Sequence, residues 1–567
     1  MSENEIVNCD VLVAGSGAGG MTAALTARLH GLDVIVAEKA PVLGGTTAVS
    51  GGGLWLPNSS LAKAMGAKDS PEDVRTYLKH EVGNRLDLAL ADAFIDAAPK
   101  MVDFVQAKTE VQFIAAAEFP DYHPTAPGSR LGRTLRAAPY DGRKLGDAFK
   151  TLRPPLKQMT IFGLLAVSGD EVLHFMRTAR SLTSAIFVGK IFAGHLRDLA
   201  FHGRGMRLTN GNALAARLVR SAIDAGIPLW TDSAVRKIET EAGRVIGATV
   251  ERDGKPVLVR ARRGVVLACG GFPADDAMRV RIFPHAQAST RHFPLGPATN
   301  DGDGIRLGEA VGGAVRNDQT NVAAWTPVSL VPMPDGTKVP FPHFVDRGKP
   351  GVIAVLPNGR RFVNESNSYH DFIEAMLQAS NYAKEVHGFM LADHRAIRHY
   401  GLGYAKPFPL PLGPHLKSGY LLKGRTLREL AQKAGIDADA LEATVKDFNG
   451  PAKEGKDPQF GKGGNIYNNY MGDPFHKPNP CVAPLDTPPY YAVKLVPGEL
   501  GTFTGLNVDK FARVVDTKGT PIDGLYAAGN DMASLMGGGY PGPGVTLGPA
   551  MTFGYIAGRH ISGHQTP

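Results

Sequence analysis

A glycine-rich turn near the start of the chain could bind the pyrophosphate of a dinucleotide. It reads Gly15-Ser16-Gly17-Ala18-Gly19-Gly20, which is a GxGxxG pattern, and Glu38 ends the next apolar run. Glycines allow the backbone to approach a pyrophosphate, which lies at the N-terminus of the following helix. Glu38 is predicted to accept hydrogen bonds from the ribose hydroxyls. The chemistry indicated is therefore the binding of a nucleotide cofactor.

A second cluster of small residues follows Glu38 and favours a flavin over a nicotinamide. It contains Lys39, then Gly44-Gly45-Thr46-Thr47, then Ser50-Gly51-Gly52-Gly53. A domain that binds NAD has no need of further glycines here, whereas a bulky isoalloxazine ring requires backbone to pass close to it. The two clusters together predict one cofactor that extends across both.

The residues around the first glycine turn predict the elements that hold it. Val11-Leu12-Val13-Ala14 is a short apolar run typical of a buried strand, Met21 to His30 has apolar residues at helical spacing, and Asp33 to Ala37 is a second strand. Gly31 is the predicted end of the helix. A strand, glycine turn, helix, strand and acidic residue in this order make the GxGxxG pattern specific.

Composition is typical of an ordinary soluble globular protein. The 567 residues are 43% hydrophobic and 20% charged, and the formal net charge is +8. No nucleic-acid motif accompanies the basic balance, so we expect no nucleic-acid partner. Cys9, Cys269 and Cys481 are far apart, which indicates no disulfide framework and fits a reducing, cytoplasmic compartment. Neither the cysteines nor the histidines have metal-ligand spacing, so no metal is expected.

The sequence predicts neither an export signal nor a membrane-spanning helix. Met1 to Asp10 is polar and lacks an apolar core. The longest uncharged run, Met532 to Gly558, is broken by Gly537-Gly538-Gly539 and by Pro541-Gly542-Pro543-Gly544. A spanning helix needs about 20 predominantly apolar residues whose backbone groups are satisfied internally.

The glycine clusters resemble those of the fumarate reductase and succinate dehydrogenase flavoprotein superfamily, which implies FAD. Some members have a histidine in the segment matching Gly45-Thr46-Thr47 and bond covalently to the flavin through it, so its absence here implies non-covalent FAD. Gly529-Asn530-Asp531 and a helix from Val545 to His560 resemble the superfamily's closing segment, whose helix N-terminus can stabilise negative charge on a reduced flavin. Further cofactor-binding residues implied by the resemblance are Gly270, Asp303, Gly529, Asn530, Gly544, Thr546 and Leu547.

The same resemblance implies an α/β fold, with a Rossmann-like FAD-binding domain and an inserted α+β catalytic capping domain. Residues 1–324 and 492–567 are expected to form the FAD-binding domain, and residues 325–491 the cap. The elements predicted in the cap are a helix from Thr426 to Ala434, a helix from Asp437 to Asn449 and a polar loop from Gly450 to Met471.

Tyr369 distinguishes this chain from a fumarate reductase. The segment Asn358-Gly359-Arg360-Arg361-Phe362-Val363-Asn364-Glu365 resembles theirs, and four residues after its glutamate they have an arginine that donates a proton to a dicarboxylate. Tyr369 stands at that position here. An arginine suits an anionic substrate, whereas a phenol suits a neutral one. The replacement argues against fumarate and succinate.

The motif Tyr540-Pro541-Gly542-Pro543-Gly544 closely resembles one in the flavin-dependent 3-ketosteroid dehydrogenases. In that family the tyrosine of the motif and the backbone N–H of its last glycine bind the substrate ketone oxygen, which implies these roles for Tyr540 and Gly544. The family's catalytic base is a tyrosine after the Asn-Glu segment, which matches Tyr369. An assisting tyrosine is implied at Tyr122, in Phe119-Pro120-Asp121-Tyr122-His123-Pro124.

This second resemblance implies that the chain dehydrogenates a 3-ketosteroid at C1–C2, next to the ring-A ketone. Hydrogen bonds to the ketone would stabilise an enolate while the base removes the α proton and the β hydrogen leaves as hydride. A tyrosine, whose pKa is ordinarily near 10, needs a depressed pKa or a hydrogen-bonding partner for this role.

Four alternatives to this substrate and reaction remain open. They are desaturation at another position such as 4,5, a smaller cyclic ketone as substrate, a fumarate-reductase-like enzyme and an electron-transfer subunit that needs a partner. The enzyme is expected to pass electrons to an external acceptor that is quinone-like or dye-like.

Aromatic residues are candidates for the apolar walls of the substrate pocket. They are Phe119, Trp325, Phe341 and Phe344. Tyr490 and Tyr491 are instead predicted to be structural, at a hinge between the domains.

The segment 150–207 has two apolar patches, 161–167 and 185–193, interrupted by basic residues. Such a pattern can dock on a membrane surface. We favour a helical excursion packed on the FAD-binding domain or at a subunit interface, and keep peripheral contact with the inner face of the membrane as the alternative. The oligomeric state stays open. The basic residues are Lys157, Arg177, Arg180, Lys190 and Arg197.

Overall fold

The computed structural model describes residues 5–160, 167–168, 171–285, 292–381 and 385–566. The apolar patch 161–167 lies outside these ranges except for Val167. The described chain is a mixed α/β structure with two large sheets and helices packed against them, as the sequence predicts. Its strands are β1 (Glu5–Ala14), β2 (Val34–Ala37), β3 (Gly53–Trp55), β4 (Phe113–Ala115), β5 (Thr134–Ala137), β6 (Tyr140–Asp141), β7 (Arg207–Leu208), β8 (Leu229–Trp230), β9 (Ser233–Glu241), β10 (Arg244–Arg252), β11 (Lys255–Leu267), β12 (Phe293–Pro294), β13 (Val315–Arg316), β14 (Ala323–Pro332), β15 (Lys338–Pro342), β16 (Val352–Val355), β17 (Gly388–Ala392), β18 (Leu422–Gly424), β19 (Tyr490–Thr502), β20 (Gly505–Leu506), β21 (Arg513–Val515) and β22 (Pro521–Ala527).

The α-helices cover the sheets and form much of the cap. They are α1 (Ala18–Leu29), α2 (Ser60–Ala64), α3 (Pro71–Val82), α4 (Leu88–Lys108), α5 (Val172–Met176), α6 (Leu182–His202), α7 (Asn210–Asp224), α8 (Asp276–Ile282), α9 (Asp303–Ala310), α10 (Tyr369–Ala379), α11 (His394–Tyr400), α12 (Gly413–Lys417), α13 (Leu427–Ala434), α14 (Ala438–Ala452), α15 (Ile466–Met471) and α16 (Leu547–Ile561).

Within the described ranges, an eight-stranded sheet carries the nucleotide-binding elements. Its order is β21-β22-β11-β1-β2-β8, and β10 and β9 extend it from β11. β1 is parallel to β2 and β11, so that Ala14 lies opposite both Ala37 and Leu267. The buried ends of β1 and β2 are covered on both faces, which explains their continuous apolar runs. β1, α1 and β2 confirm the predicted strand, helix and strand.

Helices α1 and α16 approach each other closely because glycines form their contact. A Cβ atom at Gly554 would lie 2.3 Å from the carbonyl oxygen of Gly19, and one at Gly558 would lie 2.7 Å from that of Ala23. Gly19, in the first turn of α1, also lies next to Ala550, in the first turn of α16. The two helix N-termini therefore lie side by side, and α16 confirms the helix predicted from Val545 to His560.

The cap is built on a second large sheet, of order β15-β14-β19-β17-β16, to which β12 and β18 are added through β19. Alternate residues of β16 face two different apolar cores, Val352 and Ala354 one and Ile353 and Val355 the other. Tyr490 and Tyr491 begin the long paired strand β19. The sheet of the cap also includes Phe293 of β12, which lies outside residues 325–491. The domain boundaries stay a prediction.

Two predicted cap helices are confirmed, and the predicted loop needs a correction. α13 and α14 begin after Thr426 and Asp437, whose side chains accept hydrogen bonds from the backbone of the first turn. The predicted loop 450–471 ends in the short helix α15, capped by Asn465. Six residues are too few to show helical periodicity, so the asparagine-rich composition concealed this helix.

The segment 150–207 forms α5 and α6 in the part that the structure describes. α6 is a helix of 21 residues, yet Leu182 and Phe201 are 77% and 78% exposed. The helices of the described residues include none with the length and apolarity needed to cross a bilayer.

Candidate active site

A cavity of about 840 Å³ extends from the glycine turn after β1 to a group of tyrosines beneath the cap. It is lined by nearly all residues that the sequence predicted to bind a cofactor or substrate. Those lining it are Gly15, Gly17, Ala18, Gly19, Glu38, Lys39, Gly45, Thr46, Thr47, Ser50, Gly51, Gly52, Tyr122, Gly270, Asp303, Tyr369, Gly529, Asn530, Tyr540, Gly544, Thr546 and Leu547.

Gly20 is the exception and does not line the cavity. A Cβ atom at this position would lie 2.2 Å from the carbonyl oxygen of Gly15. Glycine is therefore required for the close packing of α1 against the turn that precedes it. The cofactor contact at Gly20 stays a prediction, and the packing of α1 against the turn is a separate reason for glycine there.

The first turn of α1 fits a pyrophosphate. Its N-cap, Gly17, provides no side-chain hydrogen bond, so the first backbone N–H groups of the helix are not capped by their own N-cap residue. The N–H of Ala18 donates to the Thr47 hydroxyl at 2.9 Å. Helix N-termini with glycine neighbours favour anionic oxygens, so this end of the cavity fits the diphosphate of FAD.

Glu38 and Lys39 are both engaged with protein groups. The Glu38 carboxylate accepts hydrogen bonds from the backbone N–H and hydroxyl of Ser16, at 3.0 and 2.6 Å. Lys39 forms ion pairs of 2.6 and 2.7 Å with Asp301 and Asp303. Glu38 thus lies at the turn where the sequence predicts ribose binding, while Asp303 and Lys39 form a charged rim at the cavity.

Asp531, which sequence reasoning did not single out as a site residue, organises the glycines opposite the first turn. Its buried carboxylate accepts hydrogen bonds from the backbone N–H groups of Cys269 and Gly271, at 2.5 and 2.9 Å. These bonds hold the predicted site residue Gly270 between them. The signal available in the sequence was its place directly after Gly529-Asn530.

Gly544 is fixed against the second glycine cluster. Its φ is +93°, and a Cβ atom there would lie 2.3 Å from the carbonyl oxygen of Gly53. Its own carbonyl accepts a hydrogen bond from the N–H of Trp55 at 3.1 Å. The loop before α16 therefore needs glycine here, and the start of α16 faces the cavity through Thr546 and Leu547.

Four tyrosine rings meet in the wall of the cavity. The ring centres of Tyr122 and Tyr369 are 5.7 Å apart, those of Tyr369 and Tyr540 5.2 Å, and those of Tyr122 and Tyr540 5.8 Å. Tyr467 joins them, with its ring centre 4.7 Å from that of Tyr122. The structure thus brings together the three tyrosines that the sequence indicates and adds a fourth from α15.

Burial makes each of these phenols harder to ionise. It raises the pKa of Tyr540 to about 12 and the pKa values of Tyr122 and Tyr369 well above the ordinary range, and neighbouring phenols raise the last two further. Tyr122 and Tyr540 both contribute to the raised pKa of Tyr369. Of the two conditions set for a tyrosine base, the depressed pKa is not met, while neighbouring phenols lie close, at ring-centre distances of 5.7 and 5.2 Å.

Arg347 is a buried cation behind the tyrosines that sequence reasoning did not identify. Its guanidinium donates to the backbone carbonyls of His343, Glu365 and Asn367, at 2.7 to 2.9 Å. Burial raises the pKa values of Tyr122 and Tyr467, and the positive charge of Arg347 partly offsets that rise by favouring their phenolate forms. No local pattern predicts this role, because Arg347 meets the tyrosines only through the packing of the cap.

His123 links the segment that carries Tyr122 to the helix that carries Tyr369. Its ring nitrogens contact Glu81 at 2.5 Å and Asp371 at 3.0 Å. Burial lowers the pKa of His123, but hydrogen bonds to the two carboxylates outweigh burial and raise it to about 10. The imidazolium therefore bridges the two parts of the site at neutral pH.

Two of the four aromatic residues predicted for the pocket wall line the cavity. Phe119 and Phe344 do, and Phe344 packs edge-on against Tyr369 with ring centres 5.1 Å apart. Trp325 is instead buried in the cap core against Phe283. Phe341 lies outside the cavity lining as well, beneath the ammonium of Lys406. Both were predicted from residue type alone, which does not separate core from pocket.

The described residues contain no group of three His, Cys, Asp or Glu side chains suited to a metal ion.

Comparison with known proteins identifies a family model and close relatives. The model described as "FAD binding domain" matches residues 10–547. A 4-oxocyclohex-2-ene-1-carboxylate 5-dehydrogenase of Sinomonas cyclohexanicum is 42% identical over 99% of this chain and 95% of the relative. A 3-oxosteroid 1-dehydrogenase of Mycobacterium tuberculosis is 38% identical over 98% of each chain.

A solved structure of a similar protein has the same fold. The 3-ketosteroid Δ1-dehydrogenase of Sterolibacterium denitrificans, crystallised with 1,4-androstadiene-3,17-dione, superposes with a TM-score of 0.90. It is 36% identical, and the match covers 98% of this chain and 99% of that one. The fold and the cofactor class expected from the sequence are thereby confirmed.

Proposed function

This chain belongs to the FAD binding domain family and is an FAD-dependent dehydrogenase of the CH–CH type, and from this we propose that it introduces a C=C bond next to a ring ketone. The observation that carries the proposal is the meeting of Tyr122, Tyr369 and Tyr540 in the wall of the cofactor cavity. Phenols at that place suit a substrate whose reacting end is neutral.

Tyr540 and the backbone N–H of Gly544 are assigned to the ketone oxygen. Both line the cavity, and the backbone of Gly544 is held rigidly by contact with Gly53. Two donors fixed in advance stabilise the negative charge that develops on the oxygen when the α proton leaves. Loss of one such donor typically costs about 10²–10³-fold in kcat.

Tyr369 is assigned as the base that takes the α proton onto its phenol oxygen. The electron pair of the broken C–H bond forms the new C=C bond, and the β hydrogen departs with its own pair. Bound FAD supplies the oxidation by accepting that hydride. To accept the proton, Tyr369 must first be a phenolate, and burial makes that form costly. Because the tyrosines act on one another's pKa values, we treat the negative charge as shared by the coupled tyrosines rather than fixed on one of them. Arg347 lowers the cost of that charge at Tyr122.

The substrate is assigned to one of two kinds of six-membered ring. One is ring A of a 3-ketosteroid, with C1–C2 as the bond that reacts, by analogy with the relatives named 3-oxosteroid 1-dehydrogenase. The other is a monocyclic ketone that bears a carboxylate, by analogy with the Sinomonas relatives. A buried lysine in the cavity wall, Lys349, favours the second.

A panel of reductants separates these possibilities. The purified yellow protein is incubated with an artificial electron acceptor and androst-4-ene-3,17-dione, 4-oxocyclohexanecarboxylate, cyclohexanone or succinate. Dye reduction with at least one ring ketone, and a product with a C=C bond next to its carbonyl by NMR, is expected. Reduction by succinate alone contradicts the proposal, and no reduction by any of them favours an electron-transfer subunit.

Two further points are part of the proposed function. FAD is expected to be non-covalent, so that acid precipitation of the protein leaves the flavin in solution. The electrons are expected to pass to a quinone-like acceptor. An apolar acceptor would be reached from a membrane surface, and the exposed Leu182 and Phe201 of α6 give the protein a surface suited to that contact.

A further inference from the structure

Lys349 is a cation in the wall of the cavity with no anionic partner among the described side chains. The residue is only 5% exposed. Its ammonium donates to the backbone carbonyls of Met471 and Gly472, at 2.8 and 2.7 Å. An ammonium has three N–H donors, so two carbonyls leave one donor without a hydrogen bond, and the carboxylates that act on the charge, Asp473 and Asp346, lie beyond ion-pair distance.

A second buried lysine in the cap shows the more usual arrangement. Lys462 is 2% exposed, but its ammonium lies 3.5 Å from the carboxylate of Glu365. Buried charges are generally paired because removal of an ion from water costs several kcal/mol. Lys349 departs from this pattern at a position that lines the cavity.

We propose that Lys349 binds the carboxylate of the substrate, so that the enzyme selects a ring ketone that carries an acid group over a neutral one. The inference rests on the proposed function for the position of the ketone. It assigns to Lys349 a role in specificity, while the tyrosines carry out the reaction.

Lys349 is linked to the tyrosine group through α15. Met471, to which it donates, lies four residues after Tyr467 in α15, which is about 6 Å along a helix axis. Tyr467 packs on Tyr122 within the tyrosine group. The carbonyl that holds the ammonium and the ring of Tyr467 thus belong to the same short helix, about one turn apart along its axis.

The other charged side chains considered for binding a carboxylate are Glu118 and Arg136. Both also line the cavity. Glu118 would repel a carboxylate, and Arg136 donates to the hydroxyl of Tyr470 at 3.2 Å near the surface. Among the lining side chains, Lys349 combines positive charge with burial.

The test compares an acid with its neutral ester. For the holoenzyme and for Lys349→Met, kcat/KM is measured with two substrates, the acid 4-oxocyclohexanecarboxylate and the methyl ester of that acid. We expect the variant to lose about ten-fold or more for the acid, equivalent to about 1.4 kcal/mol, and less than about three-fold for the ester. Equal losses for acid and ester, or no loss for the acid, would overturn the proposal.

Two further variants separate loss of the charge at Lys349 from the general effect of removing a buried lysine. Lys349→Gln keeps an N–H donor for the Met471 carbonyl and loses only the charge, so it should behave as Lys349→Met does towards the acid. Lys406→Met is the matched control, because burial lowers the pKa of Lys406 to about 8 as it does for Lys349, yet Lys406 is not part of the cavity lining. A loss of acid selectivity in the control would contradict the assignment.

A binding measurement separates this inference from the proposed function. Cyclohexanecarboxylate has no ketone and cannot react, and its binding is followed by the change in flavin absorbance. Binding that weakens about ten-fold in Lys349→Met supports the carboxylate site even if no ketone proves to be a substrate. Binding unaffected by the variant overturns the inference and leaves ketone dehydrogenation standing.

The pH dependence gives an independent check. Burial lowers the pKa of Lys349 to about 8, although Cys481, Asp473 and Asp346 oppose this. Because the ammonium is the form that attracts an anion, the acid-to-ester ratio of kcat/KM should fall as pH rises through that value. A ratio constant from about pH 6 to 10 would contradict a role for Lys349.

Discussion

Removal of the hydroxyl of Tyr369 is expected to abolish turnover while FAD stays bound. The phenol oxygen is the predicted acceptor of the α proton, and the ring of Tyr369 lies 5.7 and 5.2 Å from those of Tyr122 and Tyr540. Loss of a positioned base typically costs about 10²–10⁴-fold in rate. The measurement is single-turnover flavin bleaching by a ring ketone in Tyr369→Phe, with Tyr490→Phe as the control. Near-normal bleaching would remove Tyr369 as the base.

The rate on a neutral ketone should rise with pH. The reactive form of the tyrosine group is the deprotonated one, and burial raises the pKa values of Tyr122 and Tyr369. The group therefore gains its charge only on the alkaline side, so kcat/KM should increase from about pH 7 to 10. The methyl ester is the appropriate substrate, because it does not depend on the charge of Lys349. A profile that falls over this range would argue against a phenolate base.

The resemblance to 3-ketosteroid dehydrogenases pointed to the tyrosines but not to the charges around them. Tyr122, Tyr369 and Tyr540 stand in segments with a recognisable pattern, and the structure brings them together. Arg347 and Lys349 lie in a segment with no such pattern and reach the site through the folding of the cap. Side chains that act through tertiary packing leave no periodic or motif signal in one sequence.

Neighbouring glycines in the loop after β2 should respond differently to an added methyl group. Gly52 has a φ of +69°, and its Cβ atom would lie 2.4 Å from the backbone carbon of Asn210. A Cβ at Gly51 meets no protein atom within 4 Å, although Gly51 lines the cavity. Gly52→Ala should therefore destabilise the apoprotein by more than about 1 kcal/mol, whereas Gly51→Ala should leave it unchanged and weaken FAD binding.

Thermal melts of the apoproteins and fluorescence titrations with FAD measure both effects. An unchanged FAD affinity in Gly51→Ala would show that the isoalloxazine ring does not approach this loop. An unchanged melting temperature in Gly52→Ala would show that the loop relaxes to accept the side chain.

The bridge formed by His123 should contribute to stability in a limited pH window. The pKa of His123 is raised to about 10 by Asp371 and Glu81, so its contribution is complete below its unfolded pKa near 6.5 and is lost as pH rises through about 10. Burial raises the pKa of Asp371, but the hydrogen bond and charge of His123 outweigh burial and lower it. The contribution of the Asp371 carboxylate to stability is therefore lost only in acid. The ring of His370 also lies beside Asp371.

His123→Gln should lower the melting temperature most near pH 6 and little near pH 10. The side chain of His123 is 35% exposed, so solvent screening limits the expected loss to about 1 kcal/mol. His80→Gln is the control, since His80 contacts the same Glu81 from an exposed position. A difference between variant and wild type that grows with pH would contradict the bridge.

Sequence patterns located the elements around the glycine turn and the capped helices better than they located α15 and β19. β1, α1, β2, α13, α14 and α16 have strong periodicity or clear caps, and each lies close to its predicted position. α15 was predicted as part of a loop because its six residues carry no periodic signal. The strand β19 depends on partners from across the cap, which a local pattern cannot reveal.

We propose that the molecule as a whole passes its electrons to an acceptor at a membrane and docks there through α6. The neighbouring helix α5 contributes Val172, Leu173 and Met176 to the cavity wall. α6 exposes Leu182, Ile186, Leu196 and Phe201. An apolar surface on the same excursion as the cavity wall would bring a bilayer, and an apolar acceptor dissolved in it, close to the reaction site.

The exposure of Leu182 and Phe201 favours the membrane alternative over the packed excursion preferred from the sequence, and this proposal predicts vesicle binding that depends on α6. Wild-type protein should sediment with vesicles containing anionic lipid, since exposed apolar residues of α6 are accompanied by Lys190 and Arg197. Burial of one large apolar side chain contributes about 1.5–3 kcal/mol, so the double variant Leu182→Ser/Phe201→Ser should lower vesicle affinity at least about ten-fold. Met65→Ser changes a similarly exposed side chain elsewhere and should have no effect.

If the double variant sediments as wild type does, α6 is not the docking surface. Sedimentation of neither protein would favour a subunit contact there.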